Sequence, residues 1–175
     1  NRIDGIKVYS PQDLKSKGVE FVDETKLCIN VKDLNLTGFE VYDMLYKNFS
    51  VQAELGDLYN VLALISIGTT KKDVDRLIKS IEIIAKTKKR STKIKDIEIR
   101  QINTEIGINP REAFYAKKEL VDIKDSLNMI CGESIMAYPP GIPIISPGEI
   151  ITYEIINYIN LLKDSGAYFT DAQDK

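Results

Sequence analysis

Apolar positions along this chain keep two different spacings, and the places where one gives way to the other mark its elements. Residues 26–31, Lys-Leu-Cys-Ile-Asn-Val, are rich in apolar and β-branched types and predict a part-buried strand. A helix follows. Thr37 is placed to cap it, Glu40 completes a capping box three residues on, and Leu36 and Val41 occupy the staple positions. Val41, Met44 and Leu45 supply its apolar stripe, the helix ends near Asn48, and Val51 to Glu54 begin another extended segment. Val61 to Ile67 form a nearly continuous apolar run closed by Gly68, the pattern of a strand covered on both faces. Thr70 and Asp73 then open a helix whose buried face is Val74, Leu77, Ile78, Ile81 and Ala85, running to about Lys86. Strand, helix, strand, strand, helix in this order describes an α/β sandwich of modest size.

The second half is less periodic. Ile97 and Ile99 suggest a short strand, and Asn109-Pro110-Arg111-Glu112 opens a short helical turn with asparagine capping and proline first. Leu120 to Ile123 and Asn128 to Ala137 are expected to be extended. Between Tyr138 and Glu149 fall four of the six prolines and two of the ten glycines, in the run Tyr-Pro-Pro-Gly-Ile-Pro followed by Ser-Pro-Gly-Glu. Proline lacks the amide donor and restricts its predecessor, so Tyr138 to Pro143 is not helix but a stiff elbow, ordered at little entropic cost. A rigid connector without chemistry is one reading of it. Ser146 as cap, Pro147 in first position and Glu149 closing a box predict a last helix with the stripe Ile151, Ile155, Ile156, Ile159 and Leu162, stopped by Gly166.

Composition narrows the function classes. Apolar residues at 43% and charged residues at 29% describe a globular chain, long enough to bury a core without disulfides or metal. A formal net charge of -2 gives no electrostatic reason to expect a nucleic acid or an anionic membrane as partner. No apolar run reaches the length of a membrane span, and the first residues, Asn-Arg-Ile-Asp-Gly, do not resemble a signal peptide. The start without methionine fits a fragment of something longer. Residues 86–95 hold six cations and no acid; a nucleic-acid patch is one interpretation, a solvated helix end and linker the other, and the run marks a boundary between residues 1–90 and 91–175. Cys28 and Cys131 belong to no paired motif and read as reduced, buried thiols, with a disulfide between them left possible.

Several chemistries are excluded outright. Without histidine the chain has no Ser-His-Asp or Cys-His arrangement and no histidine metal site. Ser66 to Lys72 follows a strand and opens a helix, the right place to hold a phosphate, but its single glycine also suits an ordinary turn. Glu54 and Asp57 flank Gly56 at a turn between strand-like segments, where Asp57 is suited to bond its own backbone. Glu133 is open to burial or to the surface, Glu149 is accounted for by capping, and Tyr138 reads as a packing aromatic with a bonded hydroxyl.

Arg111-Glu112-Ala113-Phe114-Tyr115-Ala116, Gly132-Glu133-Ser134, the Tyr-Pro-Pro-Gly-Ile-Pro run and Pro-Gly-Glu together resemble the C-terminal region of the bacterial ornithine/lysine/arginine decarboxylases, most densely over residues 109–166 and more weakly back to about residue 26. Two departures stand out. The family often has Gly-Arg where this chain reads Asn128-Met129, and its cofactor-binding lysine, preceded by Ser-x-His, has no counterpart here. The resemblance implies an α/β (α+β) architecture, the small domain of an aminotransferase-like fold at residues 1–90 followed by a C-terminal α+β subdomain at 91–175. It implies a cytoplasmic pyridoxal-phosphate enzyme in which the cofactor draws electrons from the substrate's α-carbon as carbon dioxide leaves, giving polyamine precursors. The catalytic residues and the cofactor site would lie outside this chain, with no metal, and the chain alone would be inactive. Its part would be one wall of the substrate channel and support of a homodimer or higher homo-oligomer, without nucleic acid or membrane. By the same resemblance Glu54, just before Tyr59-Asn60, would face the distal cation of a basic amino acid, with Asp57 a second candidate. The rival reading is a stand-alone ligand-binding or interaction module sharing this C-terminal fold.

Overall fold

The computed structural model describes residues 3–15, 18–87, 102–138 and 141–170. The chain divides into two compact units, residues 1–96 and 97–175. The expected boundary at residue 90, the basic run beyond Thr87 and the strand at Ile97 and Ile99 lie outside the described residues.

In the first unit β1 (Lys7–Val8), β2 (Lys26–Asn30), β3 (Leu55–Gly56) and β4 (Asn60–Leu64) form an antiparallel sheet in the order β1-β2-β4-β3. A short α1 (Pro11–Lys15) joins the first two strands. It went unforeseen although Ser10 and Asp13 bond across its first turn, with the Ser10 hydroxyl 2.7 Å from Oδ2 of Asp13. The long helices α2 (Gly38–Phe49) and α3 (Lys71–Thr87) supply Val41, Leu45, Leu77, Ile81 and Ile84 to a core shared with Ile29, Val61 and Ala63 of the sheet. The start of α2 is as the sequence indicates. Glu40 N–H donates to the Thr37 hydroxyl at 3.1 Å, Thr37 N–H donates to the Glu40 carboxylate at 2.9 Å, and Leu36 and Val41 are both buried.

Strand β4 departs from expectation. It ends at Leu64, three residues before Ile67, and only its Val61 and Ala63 face is buried; Leu64 is 45% exposed and Ile67 fully so. An antiparallel strand in a sheet with helices on one face needs burial on alternate residues only, so the continuous apolar run overstates its cover. Ile78 likewise lies on the outer face of α3, 45% exposed, while Ser80 takes the inward position by donating its hydroxyl to the Arg76 carbonyl at 2.7 Å.

The second unit contains α4 (Pro110–Tyr115), a sheet of β5 (Ile135–Tyr138), β6 (Ile142–Ile145) and β7 (Tyr168–Thr170) in the order β6-β5-β7, and α5 (Tyr153–Asp164). Asn109 caps α4, accepting from Glu112 N–H at 2.9 Å, with Pro110 first. Leu120 to Asp122 precede a single 3-10 turn at Ile123–Asp125 rather than a strand, and β5 forms only the end of the stretch expected to be extended. Ile145, Ile151, Ile155, Ile156 and Ile159 pack with Cys131 as the core.

Pro139 and Pro140 lie outside the described residues, but β5 and β6 pair antiparallel on either side of them and Gly141 (φ 82°) donates to the Ala137 carbonyl at 2.9 Å, so the run links neighbouring strands of one sheet. Pro143 sits on the edge strand beside an irregularity in register, where a missing amide is tolerated. Helix α5 also begins later than expected. Its cap is Thr152, which accepts from Ile155 N–H at 3.4 Å, and Ser146 to Glu149 form a reverse turn instead. Glu149 does bond Ser146 N–H at 2.6 Å, as a capping box would, but Gly148 adopts φ 96° and no helix starts there. The following backbone is already engaged: Cys131 N–H donates to the Glu149 carbonyl, Ile151 N–H to Met129 and Ile150 N–H to Glu105. At the far end Gly166 (φ 88°) stops α5, with Ala167 N–H bonding the Leu162 carbonyl and Gly166 N–H that of Lys163.

Candidate functional site

Glu54 and Asp57 bracket β3, and the local fold treats them differently. Asp57 opens the turn to β4. Its Oδ1 accepts from the N–H groups of Tyr59 and Asn60, each at 2.7 Å, and the Asn60 amide nitrogen reaches both carboxylate oxygens at 3.1 Å. That carboxylate is committed to shaping its own turn. Glu54 is exposed at the entrance to β3, its backbone N–H held to the Leu62 carbonyl at 2.8 Å, and its carboxylate has no partner among the described residues. Of the two acids, Glu54 is the one left available to a cation.

The turn is held from three sides. Asn30 at the end of β2 donates its side-chain amide to Asn60 at 2.9 Å, and Val31 N–H donates to the Tyr59 carbonyl at 2.8 Å. The first turn of α2 supplies the third contact, since Phe39 N–H donates to the Asp57 carbonyl at 3.1 Å and Gly38 N–H to that of Leu58 at 3.4 Å. Two of the orphan donors at this helix start are thereby satisfied by the acid-bearing turn itself. Close approach explains the glycines. A Cβ on Gly38 would overlap the Asn60 carbonyl oxygen and stand 2.5 Å from that of Asp57, and one on Gly56 would stand 2.8 Å from the Gly38 carbonyl oxygen. Sequence reasoning missed this contact, though a glycine at the first helical position, where it is a poor helix former, was the available signal. The Lys32 ammonium lies 5.1 Å from the Tyr59 ring centre, adding a cation to the rim of the turn.

The remaining candidates fall elsewhere. Ser66 to Thr69 is an ordinary turn closed by Thr69 N–H on the Ser66 carbonyl and Ser66 N–H on the Thr69 hydroxyl. Glu133 is half-buried, its carbonyl accepting from the Cys131 thiol at 3.0 Å. Tyr138 is not the packed aromatic expected, being half exposed where β5 enters the proline turn. Both cysteines are free thiols; Cys131 is buried as expected, but Cys28, on the uncovered side of β2, is only half-buried. Burial pushes the pKa of each upward, aided at Cys28 by the charge of Asp57. Among the described residues no group of three or more metal-ligating side chains converges, and no helix is long and apolar enough to cross a membrane.

Comparison with known proteins agrees with this fold. Residues 92–170 match the family described as Orn/Lys/Arg decarboxylase, C-terminal domain. The arginine decarboxylase of Bacillus subtilis is 38% identical over 174 residues, which is 95% of this chain and 34% of that protein. The arginine decarboxylase of Halalkalibacterium halodurans is 38% identical over 162 residues, 91% of this chain and 33% of that protein. The chain therefore spans about a third of the length of these curated relatives. Among solved structures, the constitutive lysine decarboxylase of Escherichia coli superposes with a TM-score of 0.70 at 14% identity, over 97% of this chain and 35% of that one, a likeness of fold.

Proposed function

From the match of residues 92–170 to the family described as Orn/Lys/Arg decarboxylase, C-terminal domain, we propose that this chain is the C-terminal part of a cytoplasmic, pyridoxal-phosphate-dependent decarboxylase of a basic amino acid. The observation that carries the reading is the 38% identity to a decarboxylase across 95% of this chain but only 34% of that protein. In the parent enzyme this part lines one wall of the substrate channel and supports a homodimer or higher homo-oligomer. Arginine is the first substrate to test, because four relatives matched along 72–95% of this chain are arginine decarboxylases; lysine and ornithine follow. A pocket that rejects one of these for another by chain length alone gains only ~1–3 kcal/mol per methylene, so the distal group matters more. Glu54 is the residue we assign to it. An exposed carboxylate with no partner among the described residues, held on a pinned strand, suits an ammonium or guanidinium once water is excluded.

The cofactor does not fit the residues present. A lysine that carries an aldehyde cofactor needs desolvation to lower its pKa, and no lysine among the described residues is buried. The sequence holds no histidine and hence no Ser-x-His-Lys segment. The bond-breaking chemistry accordingly belongs to the rest of the parent protein, and none of it is assigned to residues of this chain. The test is direct. The 175-residue chain and the product of its full reading frame are each assayed for carbon dioxide release from arginine, lysine and ornithine. The long product is expected to be active and the chain alone silent. Turnover by the isolated chain, or a long product inert toward all three, overturns the reading and favours a stand-alone module.

A further inference from the structure

The outer face of α3 carries a feature that the decarboxylase reading does not use. A groove of about 610 Å³ opens there, within the size range of small-molecule sites. Its floor is apolar, formed by the Phe49 ring at the end of α2 and by Ile83, 48% exposed. Around it stand Lys71, Lys72, Arg76 and Lys79, with Asp75 the one acid in the lining. None of these four cations forms an ion pair among the described residues. Asp73, the nearest further carboxylate on the helix, is tied instead to the Thr70 hydroxyl at 2.6 Å and lines a different hollow.

Part of this charge is offset within the helix, since Lys72 and Arg76 act on Asp73 and Asp75 stands four residues from both Lys71 and Lys79; the rest is unfavourable for it. Lys71, Lys72 and Arg76 occupy its first two turns, where the macrodipole opposes positive charge. Lys72 and Arg76, and Arg76 and Lys79, are like-charged neighbours at spacings of four and three residues. A positive field over an apolar floor, maintained against those costs, is suited to an anion with an apolar body. Several cations meeting at one place match a dianion better than a single carboxylate, and the guanidinium of Arg76 suits the paired oxygens of a phosphate. We propose that this groove binds an organic phosphate, its apolar or aromatic body on Phe49 and Ile83 and its phosphate among Lys72, Arg76 and Lys79.

1-Naphthyl phosphate is the probe, titrated into the ¹⁵N-labelled chain and followed by amide chemical shifts. Saturable shifts confined to Phe49 and residues 71–83 are expected, at least ten-fold tighter than for 1-naphthol or inorganic phosphate, and weakened by added salt. Arg76→Glu should lower affinity at least ten-fold and Lys79→Glu several-fold, with amide dispersion showing that each variant is folded. Lys163→Glu, the same charge change on the other unit, should leave affinity unaltered. Should Arg76→Glu unfold the chain, Arg76→Gln takes its place with the same expectation. Equal affinity for naphthol and naphthyl phosphate, shifts that never saturate, or full affinity in both the Arg76 and Lys79 variants overturns the proposal.

Discussion

Replacing Gly38 by alanine tests the contact on which the Glu54 strand depends. The new methyl group would meet two carbonyl oxygens of the backbone, those of Asn60 and Asp57, and neither is the tip of a flexible side chain. Carbon and oxygen settle at ~3.3 Å, so clearing the Asp57 oxygen at 2.5 Å alone takes a retreat of roughly 0.8 Å, and clearing the nearer Asn60 oxygen takes more. Retreat stretches the Phe39-to-Asp57 and Gly38-to-Leu58 bonds, now 3.1 and 3.4 Å, out of range. Each lost bond costs about 1 kcal/mol and overpacking about 1–3 kcal/mol, against a gain of up to about 1 kcal/mol in helix propensity. A net loss of about 3 kcal/mol follows, a shift of about 1.5 M in urea midpoint at a typical slope of about 2 kcal/mol/M. Because the chain has two units and no tryptophan, unfolding is best followed at amide resonances of Leu45 and Val61, both in the first core. Gly68→Ala is the control, its new Cβ approaching only the Ser66 hydroxyl at 3.9 Å; it should change stability by no more than about 1 kcal/mol. A Gly38→Ala chain as stable as the Gly68 variant would refute the close-approach argument.

Three further outcomes are expected. On the proposed reading, Glu54→Gln in the full-length protein should raise KM for the basic substrate about 10–100-fold, the worth of one charge-assisted bond of about 1.5–3 kcal/mol. Asp57→Asn, which keeps an oxygen for the Tyr59 and Asn60 amides, should leave KM nearly unchanged; the reverse ranking would show the roles of the two acids to be misassigned. The Thr70 hydroxyl and amide hold the Asp73 carboxyl below its ordinary pKa of 3.8, so its stabilising effect is present above that value and is lost as pH falls through the folded pKa. In Thr70→Ala the Asp73 titration, read by NMR, should move up toward 3.8, and an unmoved curve would assign the shift to Arg76 and Lys72 instead. Cys131, buried and raised from 9.0, contributes stability below 9.0 that is lost as pH climbs through its folded pKa. Iodoacetamide at pH 8 should therefore label Cys28 first and Cys131 only as urea unfolds the chain, a result checked by mass spectrometry.

What the sequence reveals most plainly is local chemistry. Thr37 with Glu40, Asn109 with Pro110, Thr70 with Asp73 and Gly166 each cap an element as expected, because a cap is decided by residues three or four apart. The misreadings arise where distant backbone competes for the same groups. Ser146-Pro147-Gly148-Glu149 has the letters of a helix start, yet Gly148 and Glu149 are already bonded to Gly107, Ile108 and Cys131. No short window contains those partners. Similarly, Tyr138 to Pro143 is visibly stiff in sequence, but its role as the bend between β5 and β6 follows only from the pairing of Ala137 with Ile142. The helix on which Ile78 sits was legible, and the side it turns to solvent was not, since one serine hydroxyl bonded to Arg76 permits Ser80 to take the inward place.

The candidate site follows the same division. Two acids beside a glycine are visible in the sequence as a turn with a choice of roles, and the choice is made by geometry. Asp57 is drawn into its own turn by two amides at 2.7 Å, so its carboxylate is already engaged by hydrogen bonds. Glu54, three residues earlier, escapes that fate because β3 has begun and its amide is committed to Leu62. On the proposed reading a rigid turn is what makes this acid useful: the strand presenting Glu54 cannot shift without breaking contacts to α2 and β2. It follows that Thr37→Ala, which costs the helix about 1 kcal/mol at its cap, should weaken substrate binding more than an equally costly substitution at the far end of α2. If both lower affinity alike, the turn transmits nothing to Glu54 and the carboxylate acts, if at all, from an independent support.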